Sequence, residues 1–167
     1  TARKDDPSLN VRDLGIKHQP TRIVISRRLD LPLMGNLART AAKVPLILCH
    51  GKDADDALIR TWRDLGATLL PCSVKGGHLD PRDILTQLGT HGLTRIFCEG
   101  GGALAASLLQ ADLVDTLVGF TAGVVIGAEG LPSIGALGIS RLAQAPRFKL
   151  KSTQIIDPDI LTIWTRR

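Results

Sequence analysis

Residues 95–109 read RIFCEGGGALAASLL, a short apolar run that leads through three glycines into an Ala- and Leu-rich segment. This order predicts a strand, a tight turn and a helix. Glycines let backbone N–H groups approach a ligand closely, and a helix start adds about half a positive charge there. Glu99 ends the predicted strand, where open α/β sheets bind small molecules. We therefore expect a phosphate at the glycine turn with a carboxylate beside it.

The glycine turn matches known nucleotide-binding motifs only in part. The spacing Gly100-x-Gly102-x-x-Ala105 fits the dinucleotide fingerprint formally, but the acidic residue expected about 20 positions later at a strand end is missing. No Gly-Lys-Ser/Thr follows a glycine loop, so a P-loop is absent from the sequence. Because glycine turns also serve close packing, both a phosphate site and a packing device remain open at this point.

The composition is that of a globular protein. The chain has 167 residues, 44% hydrophobic and 22% charged, which predicts one domain with a real core. No apolar run approaches the roughly 18 residues that span a bilayer, and no apolar signal core opens the sequence, so we expect a cytoplasmic protein. The net charge of +5 is scattered and aromatics are only 3%, which favours anionic small ligands or solubility over nucleic acid.

Cysteine and histidine show no metal-ligand spacing, so no metal site is expected. Each cysteine lies in or beside an apolar run, which predicts three separate buried thiols in a reducing compartment: Cys49, Cys72 and Cys98. The four histidines are expected to be solvated or to cap turns: His18, His50, His78 and His91.

Apolar runs alternate with helical stretches before the glycine turn, a pattern that predicts parallel strands with crossover helices. Strands are expected at Arg22–Ser26, Pro45–Cys49, Thr68–Val74 and Thr94–Cys98. Cap and stop residues place helices at Ala57–Leu65, Arg82–Leu88 and Ala103–Gln110. Asp53 or Asp55 caps the first helix and Gly66 ends it, whereas Asp80 followed by Pro81 opens the second.

Strands dominate the last third of the chain. They are expected at Leu117–Thr121, Val124–Ile126, Arg147–Ile155 and Ile160–Thr165. The turn signature Asp157-Pro158-Asp159 joins the last two as an antiparallel hairpin. The Gly127–Gly138 region is too broken for regular structure and is expected to be a mobile loop over one end of the sheet. The predicted fold class is α/β, with a mostly parallel central sheet flanked by helices and a C-terminal antiparallel hairpin.

The sequence opens with TARKDDPSLNVR, which combines adjacent carboxylates, a proline and an arginine. This composition predicts a turn-rich loop that binds a ligand. Adjacent aspartates before a proline also commonly solvate or cap a turn, and that alternative stays open.

Four stretches, in this order, resemble the reductase domain of the bifunctional riboflavin-biosynthesis deaminase/reductase, which has the dihydrofolate-reductase-like fold. They are Thr1-x-x-x-Asp5-Asp6-Pro7-x-Leu9-x-Val11-Arg12; Gln19-Pro20-x-Arg22-Ile23-Val24-Ile25; Gly77-His78-Leu79-Asp80; and Glu99-Gly100-Gly101 through Leu113-Val114-Asp115. The resemblance implies a single reductase domain over residues 1–167 that lacks its first strand and helix. The zinc-deaminase signature is absent, so the N-terminal zinc deaminase domain is expected elsewhere in the full-length enzyme.

The resemblance implies NADPH-dependent reduction of 5-amino-6-(5-phosphoribosylamino)uracil to the ribitylamino product. It implies that Thr1 and Asp5 contact NADPH and that Leu9 and Arg12 contact the substrate. The planar fork of Arg12 suits a ribose phosphate. The cofactor phosphates are expected on Gly101, Gly102, Ala103, Leu104, Ala105, Ala106 and Ser107. A homodimer through the C-terminal hairpin is also expected.

Two further residues each have two possible roles. The resemblance places Glu99 on the substrate, where a desolvated carboxyl could act as the catalytic acid, or could only hold a hydroxyl or a pyrimidine N–H. Arg27 stands where relatives often carry a serine that touches the cofactor. It either meets the 2′-phosphate of NADPH or forms a solvated pair with Arg28, and the solvated pair is the preferred interpretation.

Two other functions remain open on the sequence alone. One is a related dihydrofolate-reductase-like reductase that acts on another pyrimidine or on a pterin. The other is a non-catalytic nucleotide-binding module, which would use the glycine turn without chemistry.

Overall fold

The computed structural model describes residues 2–167, and Thr1 lies outside the described residues. The chain forms two compact units that meet in sequence between Ile96 and Phe97. Each unit is described by itself below. Among residues 2–167, no group of three or more His, Cys, Asp or Glu side chains is placed to hold a metal. Within the same residues, no helix has the length and apolar character needed to cross a membrane.

The first unit contains four helices and five strands. The helices are α1 (Ala2–Asp5), α2 (Asn36–Thr40), α3 (Asp56–Asp64) and α4 (Pro81–Thr90). The strands are β1 (Arg22–Ile25), β2 (Leu46–Gly51), β3 (Thr68–Cys72), β4 (Val74–Lys75) and β5 (His78–Leu79). The last two form a short antiparallel hairpin.

The core of the first unit surrounds a parallel sheet in the order β1-β2-β3. Every residue of the central strand β2 is buried, as expected for a parallel strand covered on both faces. Alternation along β2 sends Leu48 into one cluster with Trp62 of α3, and Cys49 into another with Leu88 of α4. Because helices pack on both faces of the sheet, the carboxyl ends of the three strands lie along one fixed edge.

The predicted cap residues start two of these helices. The Asp55 carboxylate accepts the N–H of Ala57 at 2.7 Å, and the Asp80 carboxylate accepts the N–H of Arg82 at 2.9 Å. Gly66 follows α3 with a φ of +98°, and a Cβ there would lie 2.9 Å from the Ala42 Cα. Glycine is needed at this position both for its left-handed backbone and for the close approach.

The second unit contains one helix, α5 (Gly102–Gln110), and three strands, β6 (Thr116–Thr121), β7 (Phe148–Ile156) and β8 (Asp159–Arg166). The strands form an antiparallel sheet in the order β6-β8-β7. Asp157 and Pro158 form the turn of the β7–β8 hairpin, as expected. The Gly127–Gly138 region is irregular except for a 3-10 turn at Gly127–Glu129, and a second such turn lies at Leu142–Gln144.

Two predicted strands are wrong. Thr94–Cys98 and Val124–Ile126 have no regular structure, and Phe97 and Val125 are exposed. A short apolar run becomes a strand only when a neighbouring strand completes its hydrogen bonds, and neither run has such a neighbour in the described part of the chain. The remaining elements give an α/β fold with a parallel sheet and antiparallel strands at the C-terminus.

Candidate functional site

The ligand loop, residues 6–12, has no regular secondary structure. Asp6 and Leu9 adopt φ values of 41° and 52°, and Asp13 just beyond the loop has a φ of 62°. A non-glycine residue in this left-handed region is strained by about 1–2 kcal/mol. Such a backbone keeps its shape only where surrounding contacts hold it.

Asp6 holds the beginning of the ligand loop. Its carboxylate accepts the backbone N–H of Asn36 at 2.7 Å, and the Asn36 side-chain amide donates to the Asp6 carbonyl at 2.9 Å. Asp6 therefore caps α2, whose own N-cap residue Gly35 has no side chain to do so. A Cβ on Gly35 would lie 2.6 Å from the Asp6 Oδ1, so the cap requires glycine there. The capping alternative is confirmed for Asp6.

Two residues beyond the loop hold its second half. Val11 donates its N–H to the Gln19 Oε1 at 2.8 Å, and the Gln19 Nε2 donates to the Val11 carbonyl at 3.1 Å. The Arg22 guanidinium donates to the Ser8 carbonyl at 3.4 Å and to the Val44 carbonyl at 2.6 Å. Arg22 is only 2% exposed, and burial lowers its pKa. The loop is therefore fixed to the body of the first unit.

The predicted ligand contacts of this segment have different surroundings. Asp5 is exposed at the end of α1, whereas Leu9 is partly buried against the core cluster of β2 and α3. Arg12 is exposed, and within residues 2–167 its guanidinium makes no hydrogen bond or ion pair. Thr1, the other predicted cofactor contact, is not among the described residues. Arg12 is thus the one cation of the ligand loop, residues 6–12, and its guanidinium suits an anion.

An open cleft of about 440 Å³ lies at the carboxyl ends of the three parallel strands. This is the edge at which open α/β sheets bind ligands. Its lining residues follow β1, β2 and β3 in the sequence or end them: Arg27, Lys52, Asp53, Cys72, Ser73 and Val74. We call this feature the strand-end cleft.

Arg27 is anchored in the wall of the strand-end cleft. Its Nη2 and Nε atoms lie 2.7 and 3.1 Å from the Asp53 Oδ2, and its Nη1 donates to the Gly77 carbonyl at 2.7 Å. The hydrogen bond between the two side chains lowers the pKa of Asp53 and raises the pKa of Arg27. The interpretation of Arg27 as part of a solvated pair is therefore wrong, although Arg28 is exposed.

The remaining polar side chains of the cleft differ in whether they are free to bind a ligand. The Ser73 N–H and hydroxyl both donate to the Asp83 carboxylate, which lowers the pKa of Asp83. Lys52 is exposed and makes no ion pair in the described part of the chain. Arg27 is paired with Asp53, and the Lys52 ammonium contributes to lowering the pKa of Asp83. The Lys52 ammonium makes no direct ion pair among residues 2–167, so it suits a phosphate of a nucleotide such as NADPH.

Two expectations about single side chains are wrong. Cys98 is exposed, while Cys49 and Cys72 are buried. Burial is the main cause that raises the pKa of Cys49 to about 12, and the neighbouring Cys72 also contributes. The Cys49 and Cys72 thiols also interact across adjacent strands, so they are not separate. His50 is buried rather than solvated, with its Nδ1 2.9 Å from the Gly51 carbonyl oxygen. Sequence did not show that β2 continues past Cys49 and buries the histidine.

In the second unit, the glycine turn packs closely against backbone. A Cβ on Gly102 would lie 2.6 Å from the Pro132 carbonyl oxygen, and Gly135 donates its N–H to the Gly102 carbonyl at 2.9 Å. A Cβ on Gly100 would lie 2.6 Å from the Leu104 side chain. The glycine turn therefore serves close packing, which was one of its two predicted roles. No side chain caps the first turn of α5, so its N–H groups remain suited to an anion.

The residues expected on the cofactor phosphates are not equally accessible. Gly101 and Ala103 are exposed, but Ala106 is buried in its own unit. The remaining four are partly buried: Gly102, Leu104, Ala105 and Ser107. The Ser107 hydroxyl donates to the Ala103 carbonyl at 3.0 Å, as a helical serine commonly does. Glu99 is exposed and makes no hydrogen bond or ion pair to another residue between 2 and 167.

The predicted site residues are divided between the two units. The first holds Asp5, Leu9, Arg12 and Arg27, and the second holds Glu99 and the glycine turn. Three residues that shape the site in the first unit had no predicted role: Gln19, Asn36 and Lys52. Of these, Gln19 had a signal, because it stands in a motif that carries the family resemblance.

Comparison with known proteins gives a family. The model of the RibD C-terminal domain matches residues 1–162. The riboflavin biosynthesis protein RibD of Actinobacillus pleuropneumoniae is 34% identical over 162 residues, covering 96% of this chain and 43% of that protein. The chloroplastic riboflavin biosynthesis protein PYRR of Arabidopsis thaliana is 32% identical, covering 96% of this chain and 26% of that protein. This chain thus spans less than half the length of these relatives.

Solved structures agree. RibD of Acinetobacter baumannii, form 2, superimposes with a TM-score of 0.80 at 26% sequence identity and covers 99% of this chain and 44% of that one. The deaminase/5-amino-6-(5-phosphoribosylamino)uracil reductase of Thermotoga maritima, at 19% identity and a TM-score of 0.75, shares the fold. Because the family model covers nearly the whole sequence, this chain belongs to the RibD C-terminal domain family.

Proposed function

We propose that this chain catalyses the NADPH-dependent reduction of 5-amino-6-(5-phosphoribosylamino)uracil to its ribitylamino product in riboflavin biosynthesis. One observation carries the proposal. The segment matched to the RibD C-terminal domain includes a ligand loop whose backbone is held at Asp6 and Val11, while the Arg12 guanidinium has no hydrogen bond or ion pair to residues 2–167. A fixed loop that presents a free planar cation suits the phosphate of a sugar phosphate.

In this proposal the substrate is held by three of the predicted site residues. Arg12 binds the ribose phosphate through paired N–H groups, and Leu9 packs against the substrate from the same loop. Glu99 contacts the opened sugar or the pyrimidine. It either donates a proton to the ring oxygen or imine nitrogen, or holds a hydroxyl or N–H in place. Positioning the reacting atoms at about 3–3.5 Å is the main task of these side chains.

The cofactor is assigned to the strand-end cleft, to residues that precede the ligand loop in the sequence, and to the glycine turn. Thr1 and Asp5 contact it, Lys52 supplies an ammonium at the cleft, and Arg27 offsets the Asp53 carboxylate there. Within the stretch assigned to the cofactor's pyrophosphate, Gly101 to Ser107, the uncapped start of α5 offers the N–H groups of Gly102 and Ala103, whereas Leu104 and Ala105 already donate to the Gly101 carbonyl. When bound, NADPH supplies a hydride to C1′ of the opened sugar. The chain's own residues orient both reactants and manage charge and protons.

Two partners belong to the same proposal. The relatives are more than twice as long as this chain, which supports an N-terminal zinc deaminase domain in the full-length enzyme. We also propose a homodimer that pairs through β7 and β8. No side chain on these two strands is buried in the described structure, and the apolar Leu150 and Ile155 are exposed. Sedimentation of the full chain tests this pairing, and a monomer at high concentration would exclude it.

The function is tested by following NADPH absorbance with purified chain and the ribosylamino-uracil phosphate. We expect substrate-dependent oxidation of NADPH and slower oxidation of NADH. Glu99→Gln should lower turnover by about 100-fold or more if Glu99 is the acid. Glu129→Gln, which changes another exposed carboxylate of the second unit, should have no effect. NADPH binding without any turnover would favour a non-catalytic nucleotide-binding module, and near-normal turnover of Glu99→Gln would exclude the acid role.

A further inference from the structure

The Gln19 side chain forms hydrogen bonds with the backbone of the ligand loop. Its side-chain amide satisfies both backbone polar groups of Val11, accepting the N–H at 2.8 Å and donating to the carbonyl at 3.1 Å. The Gln19 side chain thereby pairs with the Val11 backbone in the way that a neighbouring strand would. Both hydrogen bonds are part-buried, so water competes less for these groups than at the surface.

This contact lies between two strained positions. Leu9 has a φ of 52° and Asp13 a φ of 62°, and Val11 stands midway between them. Strained backbone persists only where neighbouring structure fixes it. The Gln19 amide is the contact that fixes the midpoint, because Asp6 and Arg22 hold the loop only at residues 6 and 8. Without it, the segment from Leu9 to Asp13 has room to relax toward ordinary φ values.

Arg12 directly follows Val11 and is exposed, with no hydrogen bond or ion pair in the structure of residues 2–167. No contact of its own side chain therefore determines where its guanidinium lies. Its direction depends on the backbone at Val11 and Arg12. We infer that Gln19 is a positioning residue that aims the Arg12 guanidinium at the phosphomonoester of the sugar substrate. This inference rests on the proposed function, in which Arg12 binds that phosphate.

The test is a double-mutant cycle on the full chain with ribose 5-phosphate as the probe, measured by titration calorimetry. Arg12→Ala should weaken binding by about tenfold or more, the effect of losing a charge-assisted contact. Gln19→Ala should weaken it by about threefold to tenfold. The double variant should bind no more weakly than Arg12→Ala alone, because Gln19 acts only through Arg12.

Two further variants separate positioning from general damage. Gln19→Glu places a carboxylate oxygen against the Val11 carbonyl oxygen, and this repulsion should weaken binding at least as much as Gln19→Ala does. Gln110→Ala removes an exposed glutamine at the end of α5 whose side chain makes no hydrogen bond in the described part of the chain, and should bind like wild type. Thermal unfolding midpoints of all variants show whether each one is folded.

Four results would overturn the inference. The first is that Gln19→Ala binds ribose 5-phosphate as tightly as wild type, and the second is that the two losses of affinity add in the double variant. The third is that Gln19→Ala weakens the binding of ribose without phosphate by the same factor. The fourth is that the wild-type chain does not bind ribose 5-phosphate. The calorimetry does not depend on reduction. The NADPH oxidation assay decides the proposed function separately, so the two failures are distinguishable.

Discussion

Arg27 and Asp53 form an ion pair across the carboxyl ends of β1 and β2, with the Arg27 Nη2 2.7 Å from the Asp53 Oδ2. The Arg27 Nη1 also reaches the Gly77 carbonyl at 2.7 Å and so ties the β4–β5 hairpin to the same wall of the cleft. Arg27 therefore neutralises a carboxylate that would otherwise repel a bound phosphate. Under the proposed function, Arg27 aids NADPH binding partly by offsetting this carboxylate.

Removal of Arg27 should weaken NADPH binding because it leaves Asp53 as an uncompensated negative charge in the cleft. We expect Arg27→Ala to raise the KM for NADPH by about twofold to fivefold, the range of one exposed charge contact. Asp53→Asn should leave the KM unchanged or lower it, since it frees Arg27. Arg60→Ala, which removes an exposed arginine of α3, is the matched control. Equal effects of Arg27→Ala and Arg60→Ala would contradict this role for the ion pair.

Gly35→Ala tests the Asp6 cap of α2. The added Cβ would lie 2.6 Å from the Asp6 Oδ1 and displace it from the Asn36 N–H. We expect the free energy of unfolding in urea to fall by about 1 kcal/mol, the value of a lost cap. Gly89→Ala adds a methyl group within α4 where no atom lies within 4 Å, and should raise stability by about 0.5–1 kcal/mol. The same sign for both variants would contradict the assigned contact.

Asp83 should make stability depend on pH. Hydrogen bonds from the Ser73 hydroxyl and N–H lower its pKa below the ordinary 3.8, so the carboxylate stabilises the folded state above that value. This stability is lost as the pH falls through the lowered pKa. Unfolding measured in urea between about pH 6 and pH 3 should show a smaller loss for Asp83→Asn than for wild type. Asp64→Asn, which changes an exposed carboxylate at the end of α3, should resemble wild type.

Thiol labelling should distinguish Cys98 from the other two cysteines. Cys98 is exposed, whereas burial raises the pKa of Cys49 to about 12 and also raises the pKa of Cys72. The thiolate is the reactive form, so both buried thiols should label slowly. We expect a single fast thiol in the native chain and three in urea. Retention of the fast phase in Cys98→Ser would show that a buried thiol is accessible.

Local signals predicted much of the first unit. The caps at Asp55 and Asp80 depend on residues within three positions, and the apolar runs of β1 to β3 are bounded by clear turns. The strand at Thr94–Cys98 could not be decided this way, because a strand exists only through pairing with distant residues. The Gln19 contact with Val11 joins residues eight positions apart in irregular backbone, where no periodicity reveals it.

The candidate site was predictable in chemistry but not in geometry. A positive charge at Arg27 is evident in the sequence, yet its neutralisation by Asp53 depends on how β1 and β2 align. In the same way, Gly102 is evident as a turn residue, and only the structure shows its contact with the Pro132 carbonyl. Residue type indicates what a side chain can bind. The tertiary contacts decide what it does bind.

The proposed function requires hydride transfer from NADPH to the sugar phosphate, and isotope transfer detects this step. The full chain is incubated with the ribosylamino-uracil phosphate and NADPH that carries deuterium at the transferable C4 position. We expect the ribitylamino product to gain one deuterium at C1′ by mass spectrometry, and Arg12→Ala to slow its formation. Unlabelled product, or no product while NADPH is bound, would contradict the account.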